Sequence, residues 1–102
     1  MKKVYRVAEI KELLEPVFAL YPIRKATLFG SYARGDADNQ SDLDIVIDSD
    51  WKSMGLGYFG MWGDIEDTLE KKVDLIENVE LNKDTPIYES IIREGVVIYE
   101  SP

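Results

Sequence analysis

The chain contains no cysteine and no histidine. Without cysteine there are no disulfides, no thiolate metal ligands and no thiol nucleophile. Without histidine, the usual zinc ligand and the usual general base near neutral pH are missing as well. Any metal must therefore be held by oxygen, which suits magnesium, manganese or calcium. Basic residues are scarce: 12 Lys and Arg stand against 20 Asp and Glu, a formal net charge of −8. A protein that grips a phosphate backbone broadly presents a basic face, so extensive nucleic-acid binding is disfavoured. A small triphosphate is a different matter, because bound cations offset local repulsion. Excess acid also suits a basic protein partner, although many acidic proteins are simply well solvated. No stretch approaches the roughly 18 uninterrupted apolar residues of a membrane-spanning helix. Near the N-terminus, acidic residues arrive before any apolar run of the signal-peptide kind. A cytoplasmic protein is the expectation.

The 102 residues, 45% of them hydrophobic, suffice for one folded domain over 1–102. Val7 to Leu20 reads as a helix, with Ile10, Leu13, Leu14, Val17 and Phe18 forming one apolar stripe. Pro16 conflicts with it and predicts a kink or an early end. Lys25 to Phe29 reads as a strand broken by Gly30, Ser31 to Arg34 as a helical turn, and Gly35 to Gln40 as a polar loop. Leu43 to Ile47 is the clearest strand, with Leu43, Ile45 and Ile47 on one face and Asp42, Asp44 and Val46 on the other.

Asp48 to Ser53 reads as a linker. In the segment from Met54 to Glu70, four glycines oppose a helix, but Leu56, Phe59, Trp62, Ile65 and Leu69 follow helical spacing. The spacing predicts a helix over Leu56 to Leu69, packed closely through its glycines. The first half is alternatively a flap, a base pocket or a partner surface, with core packing the economical account of Phe59 and Trp62. Lys72 to Ile76 is a third strand. Pro86 opens a last helix to about Arg93, Gly95 caps it, and Val96 to Tyr99 forms an edge strand. Six loop residues cannot hold a helical crossover, so the first two strands run antiparallel, while the third can pair in parallel. The expected fold class is α/β (α+β), a small mixed sheet flanked by helices.

Asp42 and Asp44, two apart on a strand, point the same way with Cα atoms about 6.5 to 7 Å apart. Two such carboxylates do not both stay charged cheaply unless a cation lies between them. A pair of magnesium ions about 3.5 to 4 Å apart can clamp an attacking oxygen and a leaving phosphate. A bare D-x-D is also simply a strand with a wet face. Gly30 lets backbone approach a phosphate, and the Ser31 hydroxyl and nearby amides can donate to phosphate oxygens. Alone, a Gly-Ser pair is merely a turn. Arg34 is either a phosphate contact or an ion-pair partner of Asp36 or Asp38. Ser41 can brace the loop, Lys72 can lie near a triphosphate, and Tyr32 is either a surface aromatic or a nucleobase contact.

The array L28-F29-G30-S31-Y32-A33-R34-G35, followed by S41-D42-L43-D44-I45-V46-I47, resembles the signature of the minimal nucleotidyltransferase (MNT) family of the DNA polymerase beta-like superfamily. Asp74, in K72-V73-D74-L75-I76, matches that family's third carboxylate, and the resemblance covers roughly Ala26 to Glu77. It implies a polymerase beta-like nucleotidyltransferase core. It further implies that Asp42, Asp44 and Asp74 hold magnesium (manganese is the alternative) and form the catalytic set, with Asp74 orienting or activating an acceptor hydroxyl. Gly30, Ser31 and Arg34 would bind the nucleoside triphosphate, ATP. Larger members of the superfamily carry a further domain that positions the acceptor, for which this chain has no room. Small MNT proteins resembling it pair with HEPN-domain ribonuclease toxins and act as antitoxins, in some systems by adding AMP to a toxin tyrosine. Two alternatives stay open: a non-catalytic antitoxin that neutralises by binding, and nucleotidyl transfer to a small molecule or an RNA end.

Overall fold

The computed structural model describes residues 4–102. The chain runs α1 (Val7–Phe18), β1 (Ile23–Phe29), α2 (Ser31–Arg34), β2 (Leu43–Ser49), α3 (Trp51–Met54), α4 (Gly57–Leu69), β3 (Val73–Glu77), a 3-10 turn (Asn78–Glu80), α5 (Pro86–Glu94) and β4 (Val96–Glu100). The strands form one mixed sheet in the order β3-β2-β1-β4. β1 is antiparallel to β2 and to β4, and β2 is parallel to β3. The short loop of residues 35–42 turns the chain back beside β1, whereas α3 and α4 carry it over to the parallel neighbour, as parallel pairing requires.

Alternation in β2 determines which face is dry. Leu43, Ile45 and Ile47 are fully buried, and they meet Ile10, Leu14 and Phe18 of α1 and Met61, Ile65 and Leu69 of α4 in one core. The opposite face carries Asp44, Val46 and Asp48. There α5 covers only part of the sheet, with Tyr88, Ile91 and Ile92 around Lys25, Thr27 and Val46. Pro86 occupies the first turn of α5, where an amide hydrogen would have no partner, and the Thr85 hydroxyl accepts from the Tyr88 N–H at 3.3 Å.

Several sequence expectations shift. Pro16 lies inside α1, which ends two residues later at Phe18, short of the expected Leu20. Leu13 lies on the exposed side of the stripe. The expected linker is instead the end of β2 followed by α3. In α4 the buried face is Met61, Ile65 and Leu69, which keeps the last two residues of the expected stripe, while Leu56 is 85% and Phe59 67% exposed. Core packing therefore does not explain Phe59. Nor do the glycines mediate close contact, since a Cβ placed on Gly55, Gly57, Gly60 or Gly63 meets nothing within 4 Å. Gly95 ends α5 in an extended conformation, with its N–H donating to the Ile91 carbonyl at 2.8 Å.

Candidate active site

Strand register brings the acidic residues together. Asp44 is paired with Phe29 across the antiparallel β1–β2 ladder and with Asp74 across the parallel β2–β3 ladder. Its carboxylate therefore lies between the end of β1 and the acid of β3. Asp42 precedes β2 and is exposed, while Asp44 and Asp74 are half-buried. The Asp44 carboxyl is raised above the ordinary carboxylate range. Burial is the chief cause, followed by the charges of Asp74 and Asp42 and a hydrogen bond with Asp74; the Arg34 guanidinium pulls the other way.

Gly30 stands against the Asp44 carboxylate. It ends β1 and begins α2 with φ 76° and ψ −153°, a conformation nearly confined to glycine. A Cβ there would lie 2.5 Å from Oδ2 of Asp44. Backbone strain and space both require glycine, and its absent side chain keeps the Asp44 carboxylate open. Ser31 follows as the first residue of α2, half-buried, and its hydroxyl makes no hydrogen bond among the described residues. The loop behind it is braced: the Ser41 hydroxyl accepts from the Asp38 N–H at 2.9 Å and lies 3.2 Å from Asp38 Oδ1.

A sequence profile described as "Polymerase beta, Nucleotidyltransferase" matches residues 9–102. The chain belongs to this family. Among its relatives is a protein of Thermococcus cleftensis named "Protein adenylyltransferase MntA", 32% identical over 91 residues, covering 89% of this chain and 86% of that one. Similar solved folds include a chain from a toxin–antitoxin crystal structure with AMP-PNP, with TM-score 0.68 and 18% identity, covering 95% of this chain and 75% of the other. A chain of a MntA–HepT toxin–antitoxin crystal structure matches with TM-score 0.57 and 16% identity, covering 93% of this chain and 70% of that one. At these identities the two structures bear on the fold, which is the polymerase beta-like nucleotidyltransferase core.

In this nucleotidyltransferase, Arg34 is engaged. Its guanidinium bonds Asp36 at 3.2 Å and Glu94 at 3.3 Å, not Asp38, and these two partners raise its pKa. Tyr32 is buried in the core rather than at the surface. Lys72 is exposed and immediately precedes the strand that carries Asp74, while Lys71 is buried with its ammonium 5.9 Å from the centre of the Tyr32 ring. No helix among the described residues is long and apolar enough to cross a membrane.

The donors suit a divalent cation in kind: all are carboxylate oxygens, and burial and the charges of Asp74 and Asp42 push the Asp44 carboxyl up. Among the described residues no three acidic side chains form a cation cage unaided. That matches the habit of magnesium, which is held by one or two carboxylates together with substrate phosphates.

Sequence reasoning missed Glu77. It is a buried carboxylate on β3, facing away from Asp74 and accepting from the Ser49 N–H at 2.9 Å and from the Ser49 hydroxyl at 2.9 Å. Extending the alternation of Val73 and Leu75 by one step would have placed it on the helix-covered face.

Proposed function

We propose that this chain transfers AMP from ATP, with magnesium, to a protein hydroxyl, a tyrosine of a HEPN-type ribonuclease toxin, and so acts as its antitoxin. The observation that carries this reading is the in-register pairing of Asp44 with Asp74 beneath Gly30, where an added Cβ would strike the Asp44 carboxylate. The relative named "Protein adenylyltransferase MntA" and the toxin–antitoxin folds support the choice of acceptor.

Asp44 and Asp74, with Asp42 at the rim, would hold the cation, which when bound neutralises the triphosphate and polarises its α-phosphate. The Ser31 hydroxyl and the first amides of α2 donate to phosphate oxygens. Arg34, shared with Asp36 and Glu94, exchanges part of that bonding for the triphosphate. Asp74 orients the acceptor hydroxyl and takes its proton. The acceptor oxygen bonds to the α-phosphorus, the bond from that phosphorus to the bridging oxygen breaks, and pyrophosphate leaves.

The test is the intact mass of a HEPN-type partner incubated with the chain, ATP and Mg²⁺. A gain of one AMP, absent with Asp44→Asn, is expected. No gain, or a gain that persists in that variant, overturns the reading. A second reading, neutralisation by binding alone, draws on the exposed apolar residues Leu56 and Phe59 of the α3–α4 segment. It requires full neutralisation by Asp44→Asn without nucleotide.

A further inference from the structure

A second cavity lies on the opposite side of β3 from Asp74. It measures about 530 Å³ and is lined by Trp51, Tyr58, Phe59, Trp62, Leu75 and Glu77, among others. The Tyr58 ring stands edge-on to both neighbours, at 87° to Phe59 and 86° to Trp62, with centroids 6.4 and 6.5 Å away. Rings at right angles make walls, and their faces carry negative potential. Glu77 lines the same space. It is only 5% exposed, and its carboxylate is held by Ser49 and, at 3.4 Å, by the Tyr58 hydroxyl.

We propose that this cleft is a docking site for a basic side chain, lysine or arginine, presented by a protein partner. Three observations select that occupant. Among the described residues the acidic group lining the cleft is Glu77, a desolvated carboxylate already fixed in place; Lys52 lines the cleft too but makes no ion pair with it, so an ammonium or guanidinium head that reaches Glu77 adds a charge balance that a neutral guest would not. The aromatic walls attract a cation as well. The chain's own Lys52 places its ammonium 5.6 Å from the centre of the Trp51 ring, at one side of the cleft. Phe59 of the lining is 67% exposed, and Leu56, next in sequence to the lining residue Gly55, is 85% exposed, an apolar surface that a protein partner would cover. The net charge of −8 favours a basic partner in general, and the cleft fixes where one of its side chains lodges. Arg24, a second cation near Glu77, is committed to Asp48 at 2.8 Å and to the Ser49 carbonyl at 3.0 Å. The proposal does not depend on the transfer reaction above, because Glu77 and Asp74 lie on opposite faces of β3.

The chain has two tryptophans, and both line this cleft, so indole fluorescence and the indole N–H resonances report on it alone. The full chain would be titrated with acetyl-Leu-Arg-Leu-Leu-amide and with the same peptide carrying citrulline, which is neutral and nearly isosteric. The arginine peptide is expected to give a saturable change at millimolar concentration and to bind about tenfold more tightly than the citrulline peptide. Equal binding of the two, or no saturable change, overturns the proposal. Glu77→Gln should erase the preference. Should that variant fail to fold, Phe59→Ala decides, since its side chain is exposed. A loss of about fivefold in arginine-peptide affinity supports the cleft, and unchanged affinity overturns it.

Discussion

The two faces of the β2–β3 pair each carry a buried or half-buried carboxylate, Asp44 on one and Glu77 on the other, and they are held differently. On one face Asp44 stands among acids, with Asp74 and Asp42 adding to the burial that raises its pKa. On the other, burial raises Glu77 and leaves it raised, although the Ser49 amide, the Ser49 hydroxyl and the Tyr58 hydroxyl offset part of the rise. Glu77 is partly solvated by the protein; Asp44 has no such donors. Both acids stay raised, so each face keeps negative charge that the chain does not balance; donors hold Glu77 in one position, while no amide or hydroxyl holds Asp44 among the described residues.

That contrast breaks first at Asp44. Asp44→Asn should lower nucleotidyl transfer by about 10²–10³-fold, read from the rate of partner modification. It should also stabilise the fold when no cation is present. The Asp44 carboxyl is raised on folding, so the folded chain holds that proton more tightly than the unfolded one. Its contribution is intact below the ordinary carboxylate pKa and is lost as pH rises through the interval up to the raised value. The Asn variant escapes this loss. Its Tm should exceed that of the parent at neutral pH, converge with it in acid, and differ least when Mg²⁺ and nucleotide are added.

Gly30→Ala comes next. The unfavourable backbone conformation costs about 1–3 kcal/mol, and the new Cβ presses on Asp44 Oδ2. Denaturant titration should show the loss, and transfer should fall even where the fold persists. On the other side of the sheet, Ser49→Ala removes one donor from Glu77. The expected cost is about 1–2 kcal/mol, greater at neutral than at acid pH, because the deprived carboxylate rises further. If Ser49→Ala were silent across pH, the contrast between the two faces would fail. The smallest effect belongs to Phe59→Ala, with stability changed by no more than about 0.5 kcal/mol in thermal unfolding, as its side chain is exposed.

Strand alternation made the acidic face legible. LDIVI allows one assignment of Leu43, Ile45 and Ile47 to the core, and all three are fully buried. Asp42 and Asp44 then fall on the other face, and the parallel strand follows from the length of the crossover. The aromatic face was misread because helical spacing records which side chains share a stripe, not whether protein covers it. Phe59 continues a stripe that includes Ile65 and Leu69, yet it is exposed. Trp62 and Glu77 needed the tertiary fold: the indole N–H donates to the Val73 carbonyl at 2.7 Å, and Glu77 depends on Ser49 from a different strand. Arg34 was undecided in sequence because Glu94, 60 positions away, is half of its bonding.

The Trp62–Val73 bond ties the crossover helix to the first residue of the strand bearing Asp74. Residues 44 and 74 can become neighbours only after the intervening segment has closed, so their proximity is among the later achievements of folding. A chain that has lost α4 has no partial version of the acidic pair to fall back on. Denaturation should therefore extinguish any chemistry there in a single step, together with the helix on the far side of the sheet.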